Sequence, residues 1–274
     1  MPKPLLSILV AAKDEESRLP ALFDSLRHLK IPHEVVLLDS GSSDSTFSLA
    51  RRRGARARRV AWRGYSATKN AGIALCRAQW VLSLDADEAL TPELASSVEA
   101  ALGAGEFRAY RLCRLNHFLG RAMRHGGWYP DWQSRLFRRG AARFDGRRVH
   151  EALDAGSAPV GRLKGDLLHF SYSDIRGYFE RLNRYTSLQA EELLESRGAR
   201  PWAAAARMLA DPPLVMLKMV ALKRGFLDGA HGWVLAALSA SAAFWKHAKW
   251  WQRSWEARGG RPGEPWVFAR EPRD

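Results

Sequence analysis

Short apolar runs alternate with amphipathic stretches over the first hundred residues, and this alternation restricts the fold more than any other feature. Three runs are continuous, "LLSILVAA" at 5–12, "HEVVLLDS" at 33–40 and "WVLSLDA" at 80–86, and a weaker one lies at 56–62. Helical spacing of apolar residues fills the intervals between them. Continuous apolar strands separated by helices are typical of parallel sheets that are covered on both faces. The sequence therefore predicts an α/β fold with a Rossmann-like, mostly parallel sheet flanked by helices.

Acidic residues stand where these strands end: Asp14, Glu15 and Glu16 after the first, Asp39 after the second, and Asp85 and Asp87 after the fourth. Ligands of such sheets bind beyond the carboxyl ends of the strands. "DADE" could be a solvated turn, but the buried run before it favours a functional site. Two carboxylates at a strand end can hold Mg²⁺ or Mn²⁺ while the cation bridges phosphate oxygens. We therefore predict a metal–phosphate site here.

Asp39 and the segment "TKNAG" at 68–72 are further candidate contacts to a nucleotide. Small polar residues follow Asp39, which suits hydrogen bonding to a base or ribose, whereas Asp44 is expected to cap the next helix. Lys69 and Asn70 lie at a helix start, where an anion can bind. No strand is followed by GxGxxG or GxxxxGK[ST], so neither a dinucleotide-binding Rossmann site nor a P-loop is predicted.

The pattern changes near residue 107, where half-exposed strands begin, and after 173, where the chain becomes helical. We expect a catalytic domain over 1–172 and a helical region over 173–274, broken at Pro212–Pro213. The uncharged run 229–245 is shorter than the ~20 apolar residues of a bilayer crossing. This favours an interfacial or buried helix over a marginal span or re-entrant element. Basic, Trp-rich residues follow, so the region is expected to associate with an anionic membrane surface, although these tryptophans could also be core residues.

Lysine and arginine number 43 against 29 aspartate and glutamate, a net charge of +14. Such a surface favours nucleic acid, anionic lipid or phosphorylated ligands. A nucleic-acid-binding protein would carry this charge as a stripe with stacking aromatics. Acids clustered at strand ends argue against it, and no nucleic acid is expected. Cys76 and Cys113 show no metal or redox spacing and are expected to be reduced core thiols, and the run at 5–12 is interpreted as a strand and not a secretory leader. Both features favour the cytosol.

The segments "SILVAAKDEE", "EVVLLDSGSSDST" and "ATKNAGIALCRAQWVLSLDADE" resemble, in this order, family 2 nucleotide-sugar glycosyltransferases of the GT-A fold. Further on, "GGWYPDWQSRLFRRG", "VHE" and "KRGFLDGAHGW" resemble the branch that contains bacterial lipopolysaccharide inner-core β-glucosyltransferases. Where the family usually has Asn–Glu in the first loop, this chain reads Asp14–Glu15, so the role of Asp14 is open.

The resemblance implies an inverting, metal-assisted transfer of a hexose from a UDP-sugar. The expected reaction moves glucose from UDP-glucose onto a heptose of the lipopolysaccharide inner core. The enzyme would be cytoplasmic and peripheral on the inner face of the cytoplasmic membrane. Alternatives are a transferase for another membrane glycolipid or polysaccharide, and a sugar-phosphate nucleotidyltransferase. The latter would normally carry glycines in its first loop, which "AAKDEESR" lacks.

The resemblance also implies roles for individual residues. The nucleotide sugar would contact Ala11, Glu15, Asp39, Lys69, Asn70 and Asp85. The divalent cation, Mg²⁺ or Mn²⁺, would be held by Asp87, Asp85 and His150. The general base would be Asp131, with Glu151 as second candidate. The acceptor would contact Trp128, Tyr129, Trp132 and Arg135. His169 is expected in the core.

Overall fold

The computed structural model describes residues 4–145, 153–154 and 156–260. The chain divides into two compact units, an N-terminal unit Met1–Ser173 and a C-terminal unit Asp174–Asp274. The strands that the structure describes all lie in the N-terminal unit: β1 (Leu6–Ala12), β2 (His33–Asp39), β3 (Arg56–Arg59), β4 (Trp80–Asp85), β5 (Glu88–Leu90), β6 (Ala109–Phe118), β7 (Arg121–Ala122), β8 (Asp131–Arg138), β9 (Arg143–Phe144), β10 (Leu153–Asp154) and β11 (Val160–Tyr172). The α-helices are α1 (Leu19–Ser25), α2 (Thr46–Arg52), α3 (Tyr65–Leu75), α4 (Pro92–Ala104), α5 (Ile175–Arg197), α6 (Pro201–Leu217) and α7 (Gly229–Glu256).

Nine of the strands form one sheet in the order β3-β2-β1-β4-β8-β6-β11-β5, with β7 paired to β6. The pairs β3–β2, β2–β1 and β1–β4 are parallel, as is β6–β11. Strand β8 runs antiparallel to both β4 and β6 and so joins the two parallel parts. Strands β9 and β10 form a separate antiparallel pair. The predicted fold class, an α/β sheet with flanking helices and a helical C-terminal region, is confirmed.

The central strands are apolar along their length because both faces of the sheet are covered. Successive side chains of a strand point to opposite faces, and accordingly Ile8 and Val10 enter one core cluster while Leu9 enters a second. Helix α3 lies close to the second face at Gly72, where a Cβ atom would stand 2.3 Å from Leu9 Cδ1. A larger residue at Gly72 would push α3 away from β1.

The C-terminal unit packs three helices around a buried tryptophan. Helix α5 begins at Asp174, whose Oδ1 accepts from the backbone N–H of Gly177 at 2.7 Å. Trp250 of α7 is 1% exposed and packs with Ala190 of α5 and Ala204 of α6. This tryptophan is therefore a core residue of the unit.

The predicted break at Pro212–Pro213 is wrong, because α6 continues through both prolines to Leu217. A proline in a helix removes one backbone hydrogen bond and tends to kink the helix. Here the preceding residue, Asp211, is anchored to α7, since its Oδ2 lies 2.6 Å from His247 Nε2. The helix then changes to a π-helix over Lys218–Leu222.

Within residues 4–145, 153–154 and 156–260, no helix has the length and apolar character needed to cross a membrane. The uncharged run 229–245 forms the first part of α7. One side of this stretch is buried, for example at Leu235 and Ala236, and the other is exposed, for example at Trp233 and Trp245.

Candidate active site

The parallel register brings the ends of β1, β2 and β4 to one edge of the sheet. Ala11 lies opposite Leu38 on one side and Asp85 on the other, and Ala12 lies opposite Asp39. Asp39 and Asp85 therefore flank the end of β1. Ligand sites of open α/β sheets form at such strand ends.

The loops that follow β1 and β2 hold each other in place. Asp14 Oδ1 accepts from the backbone N–H of Ser43 at 2.8 Å, and Glu16 Oε2 accepts from that of Ser45 at 2.7 Å. In return, the backbone N–H of Glu15 donates to Thr46 Oγ1 at 2.7 Å. The hydrogen bonds from Ser43 lower the pKa of Asp14. Asp14, whose role the sequence left open, thus holds this pair of loops together, whereas the Glu15 carboxylate pairs with Arg18 at 2.8 Å.

Asp39 is completely buried at the end of β2. Its carboxylate accepts from the backbone N–H and the hydroxyl of Ser42, and Arg59 Nε lies 3.8 Å from Oδ2. The Asp44 carboxylate accepts from the backbone N–H of Thr46 at 2.9 Å, as expected for a residue that caps a helix start. A contact of Asp39 to a base or ribose stays a prediction.

Asp85, the first acid of the DxD motif, lies between two cations. Lys69 Nζ donates to its Oδ1 at 2.9 Å, and Arg135 donates to its Oδ2 at 2.6 Å. Lys69 and Arg135 are themselves nearly buried. Burial alone would raise the pKa of Asp85, but the charges of Arg135 and Lys69 outweigh it and hold that pKa well below its usual range. Asp85 is therefore ionised and already neutralised, which leaves its predicted roles at the nucleotide sugar and the metal to be tested.

The same ion pairs extend across the sheet to Asp131. Arg135 also contacts Glu88 Oε1 at 3.2 Å, and Arg114 lies 3.6 Å from that oxygen. Arg114 in turn donates to Asp131 Oδ2 at 2.8 Å, because the register of β6 and β8 sets these two residues opposite each other. Charges thus alternate from Lys69 to Asp131. Burial raises the pKa of Glu88 despite the nearby arginines.

Asp131 stands at the start of β8 with about a quarter of its side chain exposed, 24%. Besides Arg114, Gln133 donates to Oδ1 at 2.6 Å and Asn116 donates to Oδ2 at 3.2 Å. Burial opposes ionisation, but the charge of Arg114 and these hydrogen bonds outweigh it and lower the pKa of Asp131. The carboxylate is therefore in its basic form at neutral pH and is fixed in orientation.

A second chain of contacts joins Asp131 to Asp87, the other acid of the motif. The Asn116 amide donates to Asp131, and its Oδ1 accepts from His169 Nδ1 at 2.6 Å. His169 Nε2 then lies 3.5 Å from Asp87 Oδ2. The sheet register produces this contact, since His169 pairs with Asn116 on one side and Glu88 on the other. Asp131 and Asp87 are thus the two ends of one chain of side chains.

The geometry between Asp87 and His169 suits a cation. A carbonyl oxygen can only accept, so the proton of a neutral His169 sits on Nδ1 and Nε2 presents a lone pair. That lone pair faces a carboxylate oxygen at 3.5 Å, an arrangement that a metal ion would stabilise. In metal-binding histidines, the ring nitrogen that does not bind the metal usually donates a hydrogen bond to a neighbouring group, as Nδ1 does here. Among the described residues, no group of three or more His, Cys, Asp or Glu forms a complete metal site, so a metal here would need ligand oxygens from elsewhere.

Three of the predicted acceptor contacts are half-buried aromatic residues next to Asp131. Trp132 lies under the guanidinium of Arg162, 5.0 Å from the ring centre, and Tyr129 lies under that of Arg124 at 5.6 Å. Burial raises the pKa of Tyr129 to about 12. The backbone carbonyl of Trp128 accepts from Asn116 at 3.2 Å. This surface beside Asp131 is therefore aromatic and cationic, a composition that suits a sugar carrying negative charge.

Other predicted site residues have different surroundings. Arg135, predicted at the acceptor, pairs with Asp85 and Glu88 inside the protein. The Asn70 amide donates to the carbonyl of Phe144 at 3.0 Å and accepts from its N–H at 2.9 Å. His150 and Glu151 lie outside the described residues. The proposed roles of all four stay predictions.

The sequence interpretation missed Glu88, Arg114, Asn116 and His169. His169 was expected in the core; its side chain is 12% exposed and lies between Asn116 and Asp87. A signal was available in "DLLHFSY", where His169 and Ser171 occupy alternate positions of an otherwise apolar strand and so point to one face. The spacing of residues in the sequence does not predict that this strand pairs with the strand that contains Asn116.

Comparisons with known proteins identify a family and relatives that this chain resembles. The model of the family described as "Glycosyl transferase family 2" matches residues 7–157. The lipopolysaccharide core biosynthesis glycosyltransferase LpsC of Rhizobium meliloti is 30% identical over 263 residues, which cover 90% of this chain and 95% of that protein. An uncharacterized glycosyltransferase of Rickettsia typhi is 26% identical over 264 residues, and the alignment covers 92% of this chain and 89% of that protein. Among solved structures, S. aureus TarS in complex with UDP-GlcNAc aligns with 14% identity and a TM-score of 0.46 over 94% of this chain and 93% of that chain.

Proposed function

This chain belongs to glycosyl transferase family 2, and on that basis we propose that it moves glucose from UDP-glucose onto a heptose of a lipopolysaccharide inner core, with inversion at the anomeric carbon. Family membership confirms the predicted class of enzyme and removes the nucleotidyltransferase alternative. The name of the Rhizobium meliloti relative supports the lipopolysaccharide acceptor. Transfer of another hexose, or to another membrane glycolipid or polysaccharide, is the competing possibility.

One observation carries the proposal. Asp131 and Asp87 are joined through Asn116 and His169 by contacts of 3.2, 2.6 and 3.5 Å. The carboxylate that would accept a proton and the carboxylate that would hold a cation therefore have a fixed relation to each other. An inverting transfer needs this relation, because the acceptor hydroxyl must attack from the side opposite the leaving diphosphate.

In the proposed reaction Asp131 is the general base. The acceptor oxygen forms a bond to the anomeric carbon as the bond from that carbon to the UDP oxygen breaks, and the electron pair leaves with UDP. The hydroxyl proton passes to Asp131. A carboxylate with a lowered pKa is a weak base, but it is ionised at every physiological pH, and a positioned base of this kind contributes roughly 10²–10⁴-fold to a rate.

Asp87 and His169 are the residues that would hold a divalent cation, Mg²⁺ or Mn²⁺, with the diphosphate oxygens of the donor as the remaining ligands. When bound, such a cation supplies positive charge to the departing UDP. The Asp85 carboxylate is paired with Lys69 and Arg135, and its contacts to the nucleotide sugar and the cation stay part of the proposal. The enzyme would work in the cytoplasm, peripheral on the inner face of the cytoplasmic membrane, where lipid-linked acceptors are presented.

The donor site is tested by calorimetric titration of UDP-glucose and UDP-galactose, with and without Mn²⁺, into wild type and Asp87→Ala. We expect wild type to bind UDP-glucose only weakly without Mn²⁺ and tightly with it, and Asp87→Ala to lose the metal-dependent part. Asp24→Ala is the matched control, since Asp24 is an exposed acid of α1 paired with Arg53 at 2.8 Å. It should bind like wild type.

Two results would contradict the proposal. If neither nucleotide sugar binds under any metal condition, the UDP-sugar donor is wrong. If metal-dependent binding survives in Asp87→Ala, the cation is held elsewhere. Tighter binding of UDP-galactose would replace glucose by galactose as the transferred sugar.

A further inference from the structure

The outer side of α6 is an exposed row of apolar residues. Trp202 is 84% exposed, Leu209 72% and Leu217 58%, and Ala206 and Pro213 are exposed between them. The spacing of three or four residues places all five on one side of the helix, over about 22 Å. On ordinary protein surfaces large apolar side chains are scattered, and a contiguous row marks an interaction site.

The exposed apolar surface continues through the turn that follows α6, and there it becomes cationic. Leu222 is 75% exposed, and Phe226 and Leu227 are about half exposed, 48% and 51%. Segment 212–227 contains three cations and no acid. We call the combined surface the α6 face; it consists of Trp202, Ala206, Leu209, Pro213, Leu217, Lys218, Leu222, Lys223, Arg224, Phe226 and Leu227, all of them exposed.

The fold of the C-terminal unit does not need this face. Helix α6 packs on α7 through its opposite side, where Ala204 contacts the Trp250 cluster and Asp211 contacts His247. The apolar side chains of the α6 face therefore forgo the stabilisation that burial would bring. A partner that covers them would supply that stabilisation.

We propose that the α6 face docks on an anionic lipid bilayer, with α6 lying parallel to the membrane surface. Its leucines and tryptophan would enter the boundary between headgroups and acyl chains, and its lysines and arginine would contact the anionic headgroups, as in interfacial helices. This inference deepens the proposed membrane location and rests on it, but it does not depend on the donor, the acceptor or the chemistry. It also names a surface other than the Trp-rich α7, on which the sequence analysis relied.

Charge favours the bilayer over a second copy of the chain. A twofold dimer places the same patch of each subunit against itself. The three cations of the α6 face would then be covered by a surface whose own segment 212–227 offers no acid to neutralise them. An anionic membrane neutralises these charges and covers the apolar row at once.

The test is flotation of the full chain with vesicles of phosphatidylethanolamine and phosphatidylglycerol (3:1), compared with vesicles of phosphatidylcholine. Wild type should float with the anionic vesicles, and less so at high salt. Leu209→Glu with Leu217→Glu should lower the partition coefficient by at least roughly tenfold. Lys218→Gln with Lys223→Gln should lower it by about fivefold per lysine on anionic vesicles and leave binding to phosphatidylcholine unchanged.

Leu5→Glu is the matched control, because Leu5 is a similarly exposed leucine of the N-terminal unit, 53%. Thermal unfolding of each variant reports its folding without reference to any substrate. The proposal is overturned if folded wild type does not float, or if the double leucine variant floats like wild type. It is also overturned if sedimentation shows a dimer that the leucine substitutions dissociate while vesicle binding is absent, since the occupant would then be a second copy. Because nucleotide binding enters none of these measurements, failure here is separate from failure of the proposed chemistry.

Discussion

The two units of this protein depart from the ordinary distribution of residues in opposite directions. The N-terminal unit buries charge, with Lys69, Arg135 and Glu88 all nearly inaccessible. The C-terminal unit exposes apolar side chains, with Trp202 and Leu222 the most exposed of them. Buried charge is costly unless it is paired, and exposed apolar side chains forgo the stabilisation of burial, so both need a reason outside folding. In each unit these unusual residues lie in the region to which we assign a function. The buried charges of the N-terminal unit belong to the proposed nucleotide-sugar site, and the exposed apolar residues of the C-terminal unit belong to the proposed lipid-binding face.

The largest expected effect sharpens the assignment of the N-terminal unit. Asp131→Asn keeps the shape of the side chain but removes its ability to accept a proton. We expect the rate of transfer from UDP-glucose to a core-truncated lipopolysaccharide to fall by roughly 10²–10⁴-fold, with UDP binding in Mn²⁺ unchanged. A variant that retains full activity would show that another residue, for example Glu151, is the base.

Removal of Arg135 tests whether the buried charges depend on each other. Arg135→Met leaves Asp85 and Glu88 with one cation fewer, and breaking a buried ion pair costs about 3–5 kcal/mol. Urea denaturation should show this loss. Arg58→Met, at an exposed arginine of β3, should change the free energy of unfolding by less than about 0.5 kcal/mol. Equal stability of the two variants would mean that Asp85 and Glu88 do not need the charge of Arg135 in the folded protein.

The chain from Asp131 to Asp87 predicts an intermediate effect. Asn116→Ala removes the acceptor that holds His169 Nδ1, and loss of such a supporting contact typically lowers metal affinity by roughly 10–100-fold. The measurement is a titration of Mn²⁺ in the presence of UDP. Asn183→Ala serves as control, since the Asn183 side chain accepts from Lys249 of the C-terminal unit at 2.7 Å. Unchanged Mn²⁺ affinity in both variants would remove His169 from the metal site.

The smallest effect concerns a buried titratable residue of the C-terminal unit. His247 lies against Asp211, with Lys246 and Arg207 nearby, and burial lowers its pKa below the ordinary value of about 6.5. The unfolded state then binds a proton at His247 more tightly than the folded state does. The free energy of unfolding is therefore highest above about pH 6.5 and falls as the pH drops toward the lowered pKa. The melting temperature of wild type should therefore drop more between pH 7.5 and 5.5 than that of His247→Gln. Parallel curves for the two proteins would refute this.

The sequence predicted those parts of the molecule that depend on local pattern. The apolar runs at 5–12, 33–40 and 80–86 became β1, β2 and β4 because a strand covered on both faces must be apolar throughout. The acids at their ends were visible for the same reason. The contacts of His169 could not be predicted because they depend on the pairing of β11 with β6, more than 50 residues away in the chain, and no local pattern encodes that register. The α6 face escaped notice because prolines and alanines give a weak periodicity, and only exposure in the folded unit reveals it.

Asn116 has a consequence for the fate of the proton. Its amide carries no charge and does not titrate, so it fixes distances between Asp131 and His169 while insulating one from the other. In the proposed reaction, a proton taken up by Asp131 would therefore not pass along this chain to Asp87, where it would compete with a cation. It would leave through the exposed quarter of the Asp131 side chain. Under this proposal the amide keeps proton transfer at Asp131 separate from cation binding at Asp87, so that the base could lose its proton after each turnover without disturbing the cation.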